Sequence, residues 1–156
     1  MVLEANEQYP DSTFIEDVAL LTTHCAIISN PHARSRKGEI VEIENVLNNY
    51  FINIEEVKEL GTVEGGDTMM VGSHFYIGLS GRTNLNGAEQ VISILEKYGM
   101  SGAIIELEKA LHLKTGLAYL EENNFVASGE FLEKEEFQKF NILSIDDDES
   151  YAANCI

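Results

Sequence analysis

His112, in "ALHLKTG", can both take and give a proton near neutral pH, which makes it a candidate general acid and base. An imidazole used in this way needs a carboxylate to fix its tautomer and raise its basicity, and Glu64 in "TVEGGD" is a candidate for that task. Asp11, Glu16 and Asp17 crowd around Phe14 in "YPDSTFIED". Carboxylates packed this closely suit a planar cation, because a guanidinium pairs with them in a two-pronged way. Arg36 in "RSRKG" and Arg82 in "SGRTN" could hold a carboxylate at the far end of such a ligand. Each residue also has an ordinary reading: a histidine bonded to a carbonyl, a Gly-Gly turn, a solvated acidic loop, two surface arginines. From spacing alone the ligand is an amino-acid-sized zwitterion with a cationic side chain, and the ordinary readings stay open. Metal chemistry finds little support. His24, His32, His74 and His112 form no HExxH, and there is no CxxC. Neither a GxSxG nucleophile motif nor a phosphate loop is present, since Gly65-Gly66 lacks the spaced glycines and the lysine.

These residues must be positioned by elements, and the elements repeat. "EDVALLTTHCAIIS" reads as a hairpin turning at Thr23-His24, followed by a helix in "GEIVEIENVLNNY" with Ile40, Ile43, Leu47 and Tyr50 on one face, then a strand in "EEVKEL". "GGDTMMVGSHFYIGLS" predicts a second hairpin at Gly72-Ser73. Its helix, "NLNGAEQVISILEKYG", has Ala88, Val91, Ile92 and Leu95 on one face, an Asn84 N-cap and a Gly99 stop, and "GAIIELE" is its closing strand. "HLKTGLAYLEENNFVASG" predicts a third hairpin around Glu122-Asn123-Asn124, with a short acidic helix in "EKEEFQKF" and a strand in "NILSI". The starts recur about every 50 residues, from Asp17 to Asp67 to the region of Thr115. The plan is α/β, with helices packed over small sheets. Corresponding positions of such modules gather around a common axis, which would bring Glu16 and Asp17, Glu64 and Asp67, and His112 together, with Arg36 and Arg82 nearby. "SYAANCI" reads as the opening strand of a fourth module, so that modules fall at about 9–60, 61–109 and 110–146, with the start of a fourth at 150–156.

Composition limits the partners. The chain has 156 residues, 10 Lys and Arg against 27 Asp and Glu, and a formal charge of −17, the wrong sign for nucleic-acid binding. No apolar run suits a membrane span and "MVLEANEQYP" is no secretory signal, so a cytoplasmic protein is expected. Two cysteines, Cys25 and Cys155, are too few for a disulfide framework and read as free thiols.

The segments "YPDSTFIED", "RSRKGE", "TVEGGDTMMVG", "FYIGLSGRTNLNGAEQ" and "LHLKTGLAYLEENN", in this order, resemble the dimethylarginine dimethylaminohydrolases, a family within the guanidino-modifying enzymes. The resemblance implies a pentein propeller, in which five hairpin-helix-strand modules surround a pseudo-fivefold axis; this chain would hold about three of them as one incomplete catalytic domain. It implies hydrolysis of Nω-methylated L-arginine to L-citrulline and a methylamine, with no cofactor. His112 is then the general acid and base, and Glu64 the carboxylate that orients it. Asp11, Phe14, Glu16 and Asp17 bind the substrate's amino group and guanidinium, Arg36 and Arg82 bind its α-carboxylate, and Asp67 supports the shape of the site. The family's nucleophile is a cysteine in a Gly-Gly-x-x-Cys context, which this sequence does not contain. "ESYAANCI" matches an earlier family segment instead, so Cys155 is expected to be structural, and Cys25 in "THCAII" a core thiol. The expectation is a central fragment, lacking the N-terminal module and the nucleophile segment and inactive alone. Arginine deiminase, with the same fold and mechanism, and a non-catalytic guanidinium-binding fragment are the alternatives. Exposed module edges favour association, a homodimer being one form of it.

Overall fold

The computed structural model describes residues 3–155. Three three-stranded sheets follow one another along the chain, each in the strand order of the sequence. The first is β1 (Ala19–Leu21), β2 (Ala26–Ile28) and β3 (Ile54–Glu56); the second is β4 (Thr68–Val71), β5 (His74–Leu79) and β6 (Ser101–Glu106). The third is β7 (Leu117–Tyr119), β8 (Asn124–Ala127) and β9 (Asn141–Ser144). In every sheet the first two strands are an antiparallel hairpin and the third runs parallel to the second. A parallel partner requires a crossover, and two helices, α1 (Glu39–Leu47) and α2 (Leu85–Lys97), lie in the first two crossovers.

Helix α2 follows its sequence signals closely. The Asn84 side chain accepts from Gly87 N–H at 2.8 Å, which satisfies an otherwise orphaned donor of the first turn. Gly99 takes φ +74°, the left-handed conformation in which a helix ends at low cost. Ala88, Val91 and Leu95 are buried and Ile92 packs beside them. Helix α1 is shorter than its pattern. Asn48 and Asn49 turn their side-chain amides back onto the carbonyls of Glu44 and Asn45, closing the helix and leaving Tyr50 exposed rather than on the apolar face. The third crossover holds no α-helix. Over 133–140 only a short 3₁₀ turn forms, Glu135–Phe137, because the segment is too short and too acidic for a stable α-helix and Phe137 is drawn into the core instead. The strand expected at 55–60 starts at Ile54 and ends at Glu56, because β2 offers only three partners.

Sheet two is buried on both faces, and alternation along β5 decides which residue goes where. Phe75 and Ile77 join α2, Cys25 and Ile27 in one cluster, while Tyr76 joins Leu117, Phe125, Phe131 and Phe137 in another. The end of the described chain departs from expectation. Asp147–Ala153 is a 3₁₀ segment rather than a strand; local bonds such as Asn154 N–H to Tyr151 C=O satisfy a backbone that has no strand partner. Ala153 alone is buried there, against Ala118 and Val126. Ile156, the last residue of that expected strand, lies outside the described residues.

Candidate active site

Each hairpin is entered through a short helical turn: Ile15–Val18 before β1, Gly65–Asp67 before β4 and Leu113–Thr115 before β7. The three turns are stitched together by aspartates at matching positions. Asp17 Oδ1 accepts Gly66 N–H at 3.0 Å, and Asp67 Oδ1 accepts Leu113 N–H at 3.1 Å. The repeat thus creates the site directly, since each turn's carboxylate takes a backbone donor of the next. Gly65 and Gly66 permit the close approach. A Cβ on Gly65 would lie 2.0 Å from the Glu16 carbonyl oxygen, and one on Gly66 would lie 3.1 Å from His112 Cγ.

A cavity of about 510 Å³ opens over these turns, lined by Asp11, Phe14, Glu16, Asp17, Arg36, Glu64, Arg82 and His112. All the ligand-facing residues expected from sequence therefore share one wall, with Asp67 fully buried behind His112. A larger groove, about 740 Å³ between residues 3–18 and α1, lies away from His112 and Glu64.

The His112 ring stands between two carboxylates. Asp67 Oδ1 is 3.2 Å from Nδ1, outside hydrogen-bonding alignment, and Glu64 Oε2 is 3.7 Å from Nε2. Asp67 raises the pKa of His112 most; burial opposes the charged ring, and Asp17 and Glu64 add to the rise. Burial raises the pKa of Glu64, Asp17 adds to this, and Arg82, His112 and Arg36 counteract it. Glu64 Oε1 is buried with no partner among the described residues, so one oxygen remains for a ligand. The sequence offered Glu64 as the orienting carboxylate; in space Asp67 is the nearer of the two. Asp67 is itself held by the hydroxyls of Ser80, at 2.6 Å, and Thr83, at 2.7 Å.

The two arginines differ sharply. Arg36 is buried; its Nε and Nη2 donate to Glu39, its Nη1 to Asp17 at 2.8 Å, and its Nη2 also to the carbonyls of Asp11 and Phe14. A guanidinium has five N–H donors, so one hydrogen of Nη1 remains for a ligand. The side chain chiefly holds the 10–18 loop in place. Among the described residues no side chain or carbonyl pairs with the Arg82 guanidinium, which also lines the cavity. Glu16 pairs with Lys114, a cavity residue that sequence reasoning passed over although it lies two positions beyond His112. Leu111, Ser35 and Asn154 also line the cavity, and only the folding of their loops puts them there. Donor atoms of Asp17, Glu64 and His112 lie within 4.8 Å of one another. Each Asp17 oxygen carries one hydrogen bond, from Arg36 or from Gly66, and keeps a lone pair, so with Glu64 it makes an acidic wall that suits a guanidinium.

Fold and site together define a protein of the guanidino-modifying kind: the chain belongs to the arginine deiminase family, which it matches over residues 7–155. Within that family its likeness is to dimethylarginine dimethylaminohydrolase, as its motifs implied. It is 57% identical over 156 residues to the N(G),N(G)-dimethylarginine dimethylaminohydrolase of Pseudomonas aeruginosa, covering 99% of this chain and 61% of that protein. The Streptomyces coelicolor protein of the same name is 32% identical over 117 residues, 75% of this chain and 45% of that protein. A structure of the Pseudomonas aeruginosa protein as a Cys-to-Ser mutant complexed with citrulline superposes with a TM-score of 0.95 at 58% identity, covering 97% of this chain and 60% of that one. The N-terminal domain of ArgZ, a cyanobacterial arginine dihydrolase, gives a TM-score of 0.86 at 15% identity, over 97% of this chain and 60% of that one, and so shares the fold. The fold is the α/β pentein type. The chain spans about three fifths of the length of the relative it matches over nearly its whole sequence.

Proposed function

We propose that this chain supplies the proton-transfer and guanidinium-binding part of a hydrolase acting on Nω-methylated L-arginine, with L-citrulline and methylamine or dimethylamine as products. The carrying observation is His112 held between the Asp67 and Glu64 carboxylates on the wall of a cavity that also presents Asp17 and Arg82. In this reading a cysteine thiolate attacks the guanidino carbon, and the cationic His112 gives a proton to the departing amine. The same ring then takes a proton from the water that releases citrulline. The raised pKa of His112 favours the protonated form that the first step uses. Glu64, with its free oxygen, and Asp17 face the guanidinium, while Arg82, aided by the remaining donor of Arg36, takes the α-carboxylate.

Neither thiol of this chain is the nucleophile in the proposal. Cys25 is buried in the core, where burial raises its pKa. Cys155 is exposed, and among the described residues no side chain hydrogen-bonds its sulfur. The domain is then the central part of a five-module propeller, with three modules at about 9–60, 61–109 and 110–146, and needs a further segment to turn over. Free thiols suit a reducing compartment, and a cytoplasmic location is part of the proposal; among the described residues no helix is long and apolar enough to cross a membrane.

Calorimetry and a citrulline assay test this together. The purified chain should bind dimethylarginine, lose roughly tenfold or more in affinity as Arg82→Ala, and release no citrulline. Turnover that survives Cys155→Ala and Cys25→Ala would overturn the assignment of the nucleophile, and an absence of binding would overturn the assignment of the pocket. Because the matching family is that of arginine deiminase, unmodified arginine is the second ligand to titrate. Preference for it over the methylated form would favour deimination.

A further inference from the structure

The loop that delivers His112 is held from outside the cavity. Between β6 and the turn Leu113–Thr115 the chain forms neither helix nor strand. Three successive backbone N–H groups in it, those of Glu108, Lys109 and Ala110, donate to the carboxylate of Glu130, each at 2.8 Å. Consecutive N–H groups aimed at one point form an anion-binding concavity, and here a side chain of the same molecule fills it. Lys134 Nζ lies 3.5 Å from the carboxylate on its other side. Burial works against the charge of Glu130, yet the three backbone donors and Lys134 outweigh it and lower its pKa.

Glu130 is itself rigidly placed. It lies in the turn Gly129–Leu132, entered through Gly129 at φ +55° and anchored by the buried Phe131. Phe131 packs so closely on Gly116 that an added Cβ there would come within 2.7 Å of the ring. The carboxylate thus ties the backbone before His112 to the same core cluster that supports the backbone after it. On the far side, His112 is fixed by Leu113 N–H on Asp67 and by the Thr115 hydroxyl donating to the His112 carbonyl at 2.7 Å. Only Leu111, which is exposed, separates His112 from Ala110, the last residue that Glu130 holds. Two residues span no more than about 7 Å, so the pinned segment limits where the ring can lie.

We propose that Glu130 is a positioning residue, which by binding the 108–110 backbone sets the imidazole of His112 between Asp67 and Glu64. The inference deepens the proposed function, resting on His112 as its acid and base. The groups that face the ring are Asp67 and Glu64 from the Gly65–Asp67 turn and its approach, and Asp17 from the Ile15–Val18 turn; Arg82 and Lys114 line the same cavity. Glu130 touches none of the reacting positions and acts through the backbone alone.

The test is an NMR titration of the His112 imidazole in the full 156-residue chain, with thermal unfolding measured on the same samples. Glu130→Gln and Glu130→Ala should each remain folded and lower the apparent pKa of His112 by roughly one unit, as the ring leaves the Asp67 carboxylate. Glu130→Asp, which keeps the charge, should restore part of the difference. Glu133→Gln removes a nearby charge that makes no bond to the loop, and should leave the titration unchanged. An unmoved His112 titration in folded Glu130→Gln, even with lowered stability, would make Glu130 a purely structural residue and overturn the proposal; so would an equal shift in Glu133→Gln. If Glu130→Ala does not fold, Glu130→Gln decides alone. The readout is a proton equilibrium, so a chain that bound no methylated arginine would sink the functional reading and leave this result legible.

Discussion

At the scale of single residues, the site turns on how one carboxylate is shared. Asp67 Oδ2 accepts two hydroxyls, while Oδ1 accepts a backbone N–H and faces the imidazole, all without exposure to water. An amide in its place would put an NH2 donor where either the two hydroxyls or the Leu113 N–H requires an acceptor. Asp67→Asn should destabilise the fold by about 2–4 kcal/mol and lower the His112 pKa, because the largest cause of its rise would be gone. Urea denaturation reads the first effect and imidazole NMR the second. A folded Asp67→Asn with an unchanged His112 titration would show that Glu64, not Asp67, dominates the ring. Sequence reading put Glu64 forward as the orienting carboxylate and Asp67 as support, whereas Asp67 lies nearer the ring. Glu64 and Asp67 are only three positions apart, and which one meets Nδ1 depends on the path of the turn between them.

At the scale of elements, the turns that open the hairpins do the positioning. Gly65 is the clearest case, because any side chain there meets the carbonyl of Glu16 rather than a movable group. Gly65→Ala should separate the first two turns, break the bond from Gly66 N–H to Asp17, and lower stability by roughly 2–3 kcal/mol. Gly66→Ala should cost less and appear mainly as a shifted His112 titration, since its Cβ would press on the ring. Chemical denaturation of both variants beside the parent checks the order. Hairpins and α2 were legible from sequence because alternation and 3.6-residue periodicity report which face of an element is buried. The 133–140 segment was not: it is too short and too acidic to hold a helix by itself, and its fate was decided by Phe137 entering the core. The strand read in "SYAANCI" failed for a related reason: a strand exists only with a partner, and pairing is not written in the strand itself.

At the scale of the whole molecule, opposed titrations shape stability. The raised pKa of His112 means that its contribution is fully present below the ordinary value of 6.5 and is lost as pH rises through the higher folded value. Glu64, also raised by burial, contributes in the same direction from its ordinary value of 4.5 upward. Glu130 works oppositely: its lowered pKa gives stability that is present above 4.5 and lost as pH falls through the folded value. Urea midpoints should therefore decline as pH is raised above 6.5, and His112→Gln should flatten that decline. A midpoint that rises through the same window would contradict the electrostatic reading of the site.

What the sequence determined by itself was local or repeated: the hairpins, the α2 caps, the three-fold recurrence, and the gathering of Asp17, Glu64, Asp67, Arg82 and His112 that recurrence imposes. Residues at equivalent positions of packed repeats must converge, whatever joins them. Tertiary structure alone decided how those groups divide their bonds. Arg36 is spent mainly on Glu39 and Asp17 while Arg82 has no partner among the described residues, Asp67 lies nearer the ring than Glu64, and Glu130 reaches back to the loop before His112. A carboxylate or guanidinium has a fixed number of bonding positions, and which neighbours fill them depends on distances of a few ångströms between segments far apart in the chain.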